Sequence, residues 1–295
     1  MPELPEVETV RLGLEPVLRG RRFVRVEQRR RDLRFPLPDR FAERLAGRKV
    51  VRLDRRAKYL LAHLDRGEVL AMHLGMTGRF IVSRPGRREA QTLGEYTYEH
   101  GKDAKHDHVV FTMSGGAVVT YNDARRFGYM TLIAAADLEH DAFFEGLGVE
   151  PLGAGLDAAY LARRAHGKKV DLKALLMDQR IVAGLGNIYV CEALFRAGLD
   201  PSRPAARLAT RTGKPTPAAT RLVGAIKSVL GDAIRAGGST LRDYKRADGS
   251  AGAFQNEFRV YGREGEPCVK RGCRGIVRRK VQGGRSTFAC PVCQR

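Results

Sequence analysis

The chain contains no tryptophan, and aromatic residues make up only 7% of it. No aromatic-rich platform for stacking single-stranded bases is legible, which disfavours RNA binding. No run approaches the roughly 20 apolar residues that a membrane helix needs. The N-terminus carries acidic residues and lacks the apolar core of a secretory signal, so a cytoplasmic, nucleoid-associated location is expected. Cysteine is scarce as well. Four of the five cysteines fall in the last 28 residues, and the fifth, Cys191, sits in an apolar helical pattern. That distribution suits a reducing compartment and one metal site better than a disulfide scaffold. Acidic residues are in deficit: 33 Asp and Glu face 53 Lys and Arg, a formal charge of +20. Such an excess calls for a polyanionic partner, nucleic acid first. With 43% hydrophobic and 29% charged residues in 295, the chain has globular proportions and room for two or three domains.

Val7, Val10, Leu14, Val17 and Leu18 recur at helical spacing, and Gly20 supplies a stop. From Lys49 to Ile133 short strands are predicted over 50–53, 59–64, 69–73, 80–82, 109–113, 117–121 and 130–133. Gly, Asp and Pro clusters punctuate them, as in an antiparallel sandwich or barrel. Residues 84–107 read as a long polar loop. After EPLGAG at 150–155, a linker by composition, helices are predicted near 157–165, 172–178, 187–197 and 217–236. Thr216 is the expected N-cap of the last, with Pro217 in its first turn. Residues 238–262 are loop-like. The divisions are therefore 1–150, 151–262 and a Cys-rich tail, 263–295.

The tail reads Cys268-x4-Cys273-x16-Cys290-x2-Cys293. Two close pairs separated by a hairpin-length spacer can converge four thiolates on one structural zinc ion. Between them, IVRRKVQGGRSTFAC reads as two strands around Gly283–Gly284, a zinc ribbon. The tail holds nine Lys and Arg against two Asp and Glu, a net of +7. Four thiolates and one Zn²⁺ would reduce it to +5, a charge that seeks phosphates, and Arg285 adjoins the turn. A metal staple with a merely solvated basic face is the plainer alternative.

The chain opens MPELPEVETVR. Pro and Glu suit the first turn of a helix. If Met1 is removed, Pro2 also becomes a terminal secondary amine beside Glu3. An α-amino group titrates at about 7.7–8.0, so part of it is a free nucleophile at neutral pH. Such an amine can attack a sugar C1′ and form an iminium while a nearby carboxylic acid donates a proton.

Along the chain come RRAKYL around Lys58, HLGMTGRF at 73–80, KHDH at 105–108 and NDARRFG at 122–128. LGVEPL at 147–152, MDQRIVAGLGNIYVCEALF at 177–195, GGSTLRDY at 237–244 and FQNEFRVYGREGEPC at 254–268 follow. In this order the segments resemble the formamidopyrimidine-DNA glycosylase family, over essentially the whole chain. The related endonuclease VIII branch typically differs where Leu4 stands, which favours the branch acting on oxidised purines.

The resemblance implies an α+β architecture: an N-terminal antiparallel β-sandwich with flanking helices, a helix–two-turn–helix unit and the zinc ribbon. It implies a monomeric enzyme that binds duplex DNA containing oxidised purines or abasic sites. Pro2 resembles the Schiff-base nucleophile, Glu3 the acid assisting ring opening and base loss, and Glu6 a supporting carboxylate. Lys58, read here as lying on a strand, resembles the lysine that helps expel the 3′ phosphate, and Arg285 serves the second elimination. A flipped base leaves a gap in the stack, and Met76, Arg125 and Phe127 resemble the wedge that fills it. His73, His106, Lys169, Lys173 and Asn187 resemble DNA-backbone contacts, with Asn187 also the expected cap of its helix. Arg242 falls in the lesion-recognition loop, where some relatives carry Lys. The x4 spacing of the first Cys pair also departs from the x2 of many members. A non-catalytic zinc-ribbon DNA-binding protein is the competing class, and it leaves the Pro2–Glu3 pair unexplained.

Overall fold

The computed structural model describes residues 2–94, 103–239 and 254–295, so Arg242 lies outside the described residues. The chain divides into two units. Among the described residues, the first comprises 2–145 and 236–239, and the second 146–235 and 254–295.

In the first unit, α1 spans Leu4–Leu18, and all five apolar residues of the predicted face are buried. β1 (Phe23–Gln28) and α2 (Phe41–Leu45) follow. Next come β2 (Val50–Arg56), β3 (Tyr59–Leu64), β4 (Glu68–His73), β5 (Arg79–Ser83) and β6 (Gln91–Leu93). The last three strands are β7 (Asp107–Met113), β8 (Val118–Asn122) and β9 (Tyr129–Ala134). They form two antiparallel sheets, one ordered β1-β7-β8-β5-β6 and the other β2-β3-β4-β9. The seven strands predicted from hydrophobic runs are all present, and β1 and β6 are additional.

One core joins the two sheets and α1: Phe23, Phe80, Phe111 and Tyr121 from one sheet meet Leu53, Leu60, Leu70 and Met130 from the other. The arrangement is a β-sandwich. The Phe23 and Phe111 rings meet edge to face at 5.2 Å. Truncating a buried Phe such as Phe111 to Ala costs about 3–5 kcal/mol in transfer and cavity terms. Register across the second sheet places Tyr59 opposite His73 and His73 opposite Tyr129, an alignment that builds part of the site below.

The second unit contains α3 (Ala158–Ala165), α4 (Leu172–Met177), α5 (Asn187–Ala197) and α6 (Pro217–Arg235). Asp157 and Asp171 cap α3 and α4, each carboxylate accepting from a backbone N–H at 2.6 Å. Thr216, the expected cap of α6, instead donates its hydroxyl to the carbonyls of Arg207 and Leu208. β10 (Arg278–Gln282) and β11 (Arg285–Ala289) form the predicted hairpin. Its two-residue turn has Gly283 at φ 54° and Gly284 at φ 72°, a conformation that side-chain-bearing residues resist.

Two features depart from the sequence-based divisions. The tail shares a core with α5, where Cys191 and Phe195 pack with Val260, Val277 and Phe288. Residues 236–239 join the first unit because Ser239 donates its N–H and hydroxyl to the buried Glu6 carboxylate, at 2.8 and 3.0 Å. Among the described residues, no helix is long and apolar enough to cross a membrane.

Candidate active site and metal centre

Pro2 and Glu3 immediately precede α1, and both are buried, Glu3 at 4% exposure. Glu6 reaches back from the first turn to accept from the Glu3 N–H at 2.8 Å, the reach-back arm of a capping box. Its other carboxylate oxygen takes the two Ser239 donors. Glu6 thus ties the first residues of the chain to the segment that follows α6.

Lys58 lies in the two-residue turn between β2 and β3, not on a strand as expected, with Ala57 before it at φ 52°. Its side chain is 7% exposed. It acts on His73 at the end of β4. Burial first, then the charges of Lys58 and Arg34, push the His73 pKa down to about 4. His73 Nδ1 accepts from the Gly75 N–H at 3.0 Å, which assigns the proton to Nε2. The ring stacks on Tyr129 at 5.1 Å, and the Tyr129 hydroxyl donates to Tyr59 at 2.6 Å. A His73 expected to touch a phosphate is therefore a neutral donor and not a cation.

The three expected wedge residues lie on two loops. Met76 is half-buried in the β4–β5 connection, while Arg125 and Phe127 are exposed between β8 and β9. The Arg125 guanidinium covers the Phe127 ring at 4.4 Å, and Phe127 is 40% exposed. A core role for Phe127 does not fit that exposure. His106 is half-buried in a 3₁₀ turn before β7, and its carbonyl accepts from the Asp123 N–H.

In the second unit, Lys169 is exposed ahead of α4, as a phosphate contact would be. Lys173 differs. It is 2% exposed, and its ammonium donates to Thr287 Oγ1 at 2.6 Å and the Ser286 carbonyl at 3.2 Å. The side chain faces the β10–β11 hairpin, not solvent. Burial holds its pKa below the ordinary lysine value. Asn187 is the first residue of α5 and Gly186 occupies the cap, so the predicted capping role is not seen. Its amide donates to the Ser286 carbonyl at 2.8 Å. Lys173 and Asn187 thus converge on the start of β11, where Arg285 is exposed.

Three polar residues that the sequence did not single out tie these segments together. Gln179 closes the turn before α5, accepting from the Gly184 N–H and donating to the Leu185 carbonyl. Glu192, fully buried, receives the consecutive N–H groups of Arg259, Val260 and Tyr261. A lone acid in the apolar run NIYVCEALF was the available signal. Asp123, also fully buried, accepts from the Thr77 hydroxyl in the β4–β5 connection and from the Gly128 N–H between β8 and β9.

The four tail cysteines are reduced, and their sulfurs lie within 4.8 Å of one another. Cys268 and Cys293 are 3.8 Å apart and Cys273 and Cys290 3.6 Å. Tetrahedral Zn–S bonds of about 2.3 Å put sulfurs about 3.8 Å apart, so the cluster fits a zinc ion. N–H groups of Lys270 and Gly275 point at the sulfurs of Cys268 and Cys273, which shows that the x4 knuckle closes. Gln294 braces the other knuckle, accepting from the Cys290 N–H at 2.7 Å. By geometry these four residues could hold one metal ion.

The profile of the formamidopyrimidine-DNA glycosylase N-terminal domain matches residues 1–130, and that of its H2TH domain matches 147–245. Formamidopyrimidine-DNA glycosylases of Chelativorans sp. and Bradyrhizobium sp. are 59% and 60% identical, each covering 100% of both chains. The crystal structure of the MutM (Fpg) protein from Thermus thermophilus superposes with a TM-score of 0.77 at 38% identity, over 99% of this chain and 98% of that one. A Lactococcus lactis Fpg complex with abasic-site DNA gives 0.81 at 30% identity, over the full length of both chains. The chain belongs to the formamidopyrimidine-DNA glycosylase family.

Proposed function

We propose that this protein removes oxidised purines, 8-oxoguanine and formamidopyrimidines, from duplex DNA and then nicks the strand as a DNA-(apurinic or apyrimidinic site) lyase. The observation that carries the reading is the Pro2–Glu3 pair at the head of α1, steadied by Glu6. Removal of Met1 leaves Pro2 with a secondary amine. That amine attacks C1′ of the damaged nucleotide, the C1′–N bond breaks, and the base departs with a proton. Glu3 supplies the acid for base loss and for opening the sugar at its ring oxygen.

The resulting iminium is a permanently charged electron sink. It acidifies the C2′ proton, and loss of that proton expels the 3′ phosphate, with Lys58 assisting. A second elimination, assisted by Arg285, expels the 5′ phosphate, and water releases Pro2 from the sugar fragment. Met76, Arg125 and Phe127 fill the stack while the base is out. Lys169, His73, His106 and Asn187 hold the backbone. Lys173 supports the same contact from behind, through the hairpin that bears Arg285. Zinc, held by Cys268, Cys273, Cys290 and Cys293, staples the hairpin and supplies no step of the reaction. The protein acts as a monomer on duplex DNA.

End-group analysis tests this reading. A duplex with one 8-oxoguanine should be cut to leave phosphate at both ends of a one-nucleotide gap. Base release with an intact strand would limit the activity to a glycosylase, and binding without either product would favour a non-catalytic DNA-binding protein.

A further inference from the structure

We infer that the buried Asp123 carboxylate is the positioning residue that holds the Met76 loop and the Arg125–Phe127 loop together as one wedge. The inference rests on the wedge reading above. Asp123 is fully buried immediately after β8, where the loop bearing Arg125 and Phe127 begins. Its Oδ1 accepts from the Thr77 hydroxyl, next in sequence to Met76, and from the Arg125 N–H at 3.3 Å. Its Oδ2 accepts from the Gly128 N–H, next to Phe127, at 2.9 Å and from the Tyr121 hydroxyl at 3.2 Å. The Arg125 N–H also reaches Thr77 Oγ1 at 3.2 Å. One side chain therefore spans both loops through four neutral donors. Its backbone is fixed independently: the carbonyl accepts from His108 Nε2 at 2.8 Å, and the N–H donates to the His106 carbonyl at 3.0 Å.

The clearance between the loops makes that bridge exacting. A Cβ on Gly75 would stand 2.3 Å from the Phe127 carbonyl carbon, and one on Gly128 would stand 1.8 Å from the Tyr121 hydroxyl. The loop backbones touch, so a shift in one moves the other. A side chain that enters a base stack needs its loop settled beforehand, because ordering it during extrusion adds to the unstacking cost.

The carboxylate is required at both oxygens. An Asn in its place turns one edge into an NH₂ donor. In either amide orientation that edge meets a backbone N–H that cannot accept, Arg125 or Gly128, while the Thr77 or Tyr121 hydroxyl beside it can turn to accept. Asp123→Asn thus keeps shape and volume while uncoupling one loop. Thr77→Val removes the Met76-loop link to Asp123 together with the Arg125 N–H contact at Thr77 Oγ1, and leaves the Gly128 and Tyr121 bonds to Asp123 in place.

The test compares two duplexes under single-turnover conditions: one carrying 8-oxoguanine opposite cytosine, one carrying a ready-made abasic site. Asp123→Asn and Thr77→Val should lower excision from the first by about 10- to 100-fold, the range commanded by a buried hydrogen bond to a charged group. Cleavage of the second, which has no base to extrude, should change by less than about threefold. Removing the base opposite 8-oxoguanine lowers the cost of extrusion, so excision by Asp123→Asn should recover there. A loss of folded protein would depress both substrates equally and would not respond to the missing partner. Equal losses on both duplexes, or no loss on either, overturn the inference for both variants. A wild-type protein that leaves both duplexes intact would instead remove the underlying glycosylase reading.

Discussion

The Lys173 ammonium donates to Thr287 Oγ1 at 2.6 Å, so a cation expected to meet DNA is spent inside the protein on the hairpin that carries Arg285. A direct phosphate contact and this internal one have different salt signatures. Losing a phosphate contact lowers the log–log salt slope of DNA binding by roughly 0.9. Lys169→Ala should show that loss. Lys173→Met should weaken binding with little change of slope, and should speed amide exchange at Ser286 and Thr287. A full unit lost from the slope of Lys173→Met would mean that the ammonium turns outward on binding.

Metal content supplies an independent prediction. One zinc ion per chain is expected in unchelated protein, held by Cys268, Cys273, Cys290 and Cys293. Cys290→Ser should release it, unfold the hairpin and weaken DNA binding, because binding free energy and folding free energy are coupled in such a site. The first unit should keep its cooperative melt. Cys191→Ala should retain full zinc, and substoichiometric metal in wild-type protein would contradict the assignment.

Phe127→Ala should separate two activities. The exposed ring adds little to the core, so the melting temperature should barely move. Excision from a duplex should fall at least about tenfold, while cleavage at a ready-made abasic site stays near wild type. Parallel losses would return Phe127 to a structural role.

Most helices were legible because their apolar residues repeat at a period near 3.6, as along α1, and most strands because they are short apolar runs between turn residues, as along β7. β1 was missed because FVRVEQ sits beside a basic run and buries only Phe23 fully. β6 is three residues inside a polar stretch. The four metal ligands and the Pro2–Glu3 pair could be read from spacing and chemistry. Contacts that depend on distant segments could not. Nothing local to Lys173 announces Thr287, 114 positions away, and nothing local to Glu6 announces Ser239. Asp123 stood inside a recognised motif, yet its role depends on a turn 46 positions earlier, where Thr77 lies.

His73 gives the protein a pH dependence of known sign. Its folded pKa of about 4 lies below the ordinary value of 6.5, so the unfolded chain binds the extra proton between those limits. Stability should therefore fall as pH drops from about 6.5 toward 4 and be level above that window, as far as His73 is concerned. The expected contribution is on the order of 1–3 kcal/mol. Urea denaturation at pH 5 and pH 7 should show a smaller difference in His73→Gln than in wild type. An NMR titration placing His73 near 6.5 would contradict the burial argument.

The nucleophile is the point on which the chemistry turns. Borohydride reduces an iminium to a stable amine and traps the protein on the DNA, so it reports the Pro2–sugar bond itself. Mature protein beginning at Pro2 should trap on both an 8-oxoguanine duplex and an abasic-site duplex. Glu3→Gln should keep trapping on the abasic duplex and lose it on 8-oxoguanine. The decisive comparison uses protein with one residue retained before Pro2, which converts the amine to an amide. That form should bind DNA and give no adduct on either duplex. An adduct formed at wild-type rate would place the nucleophile on another amine, Lys58 first, and would contradict the Pro2 mechanism.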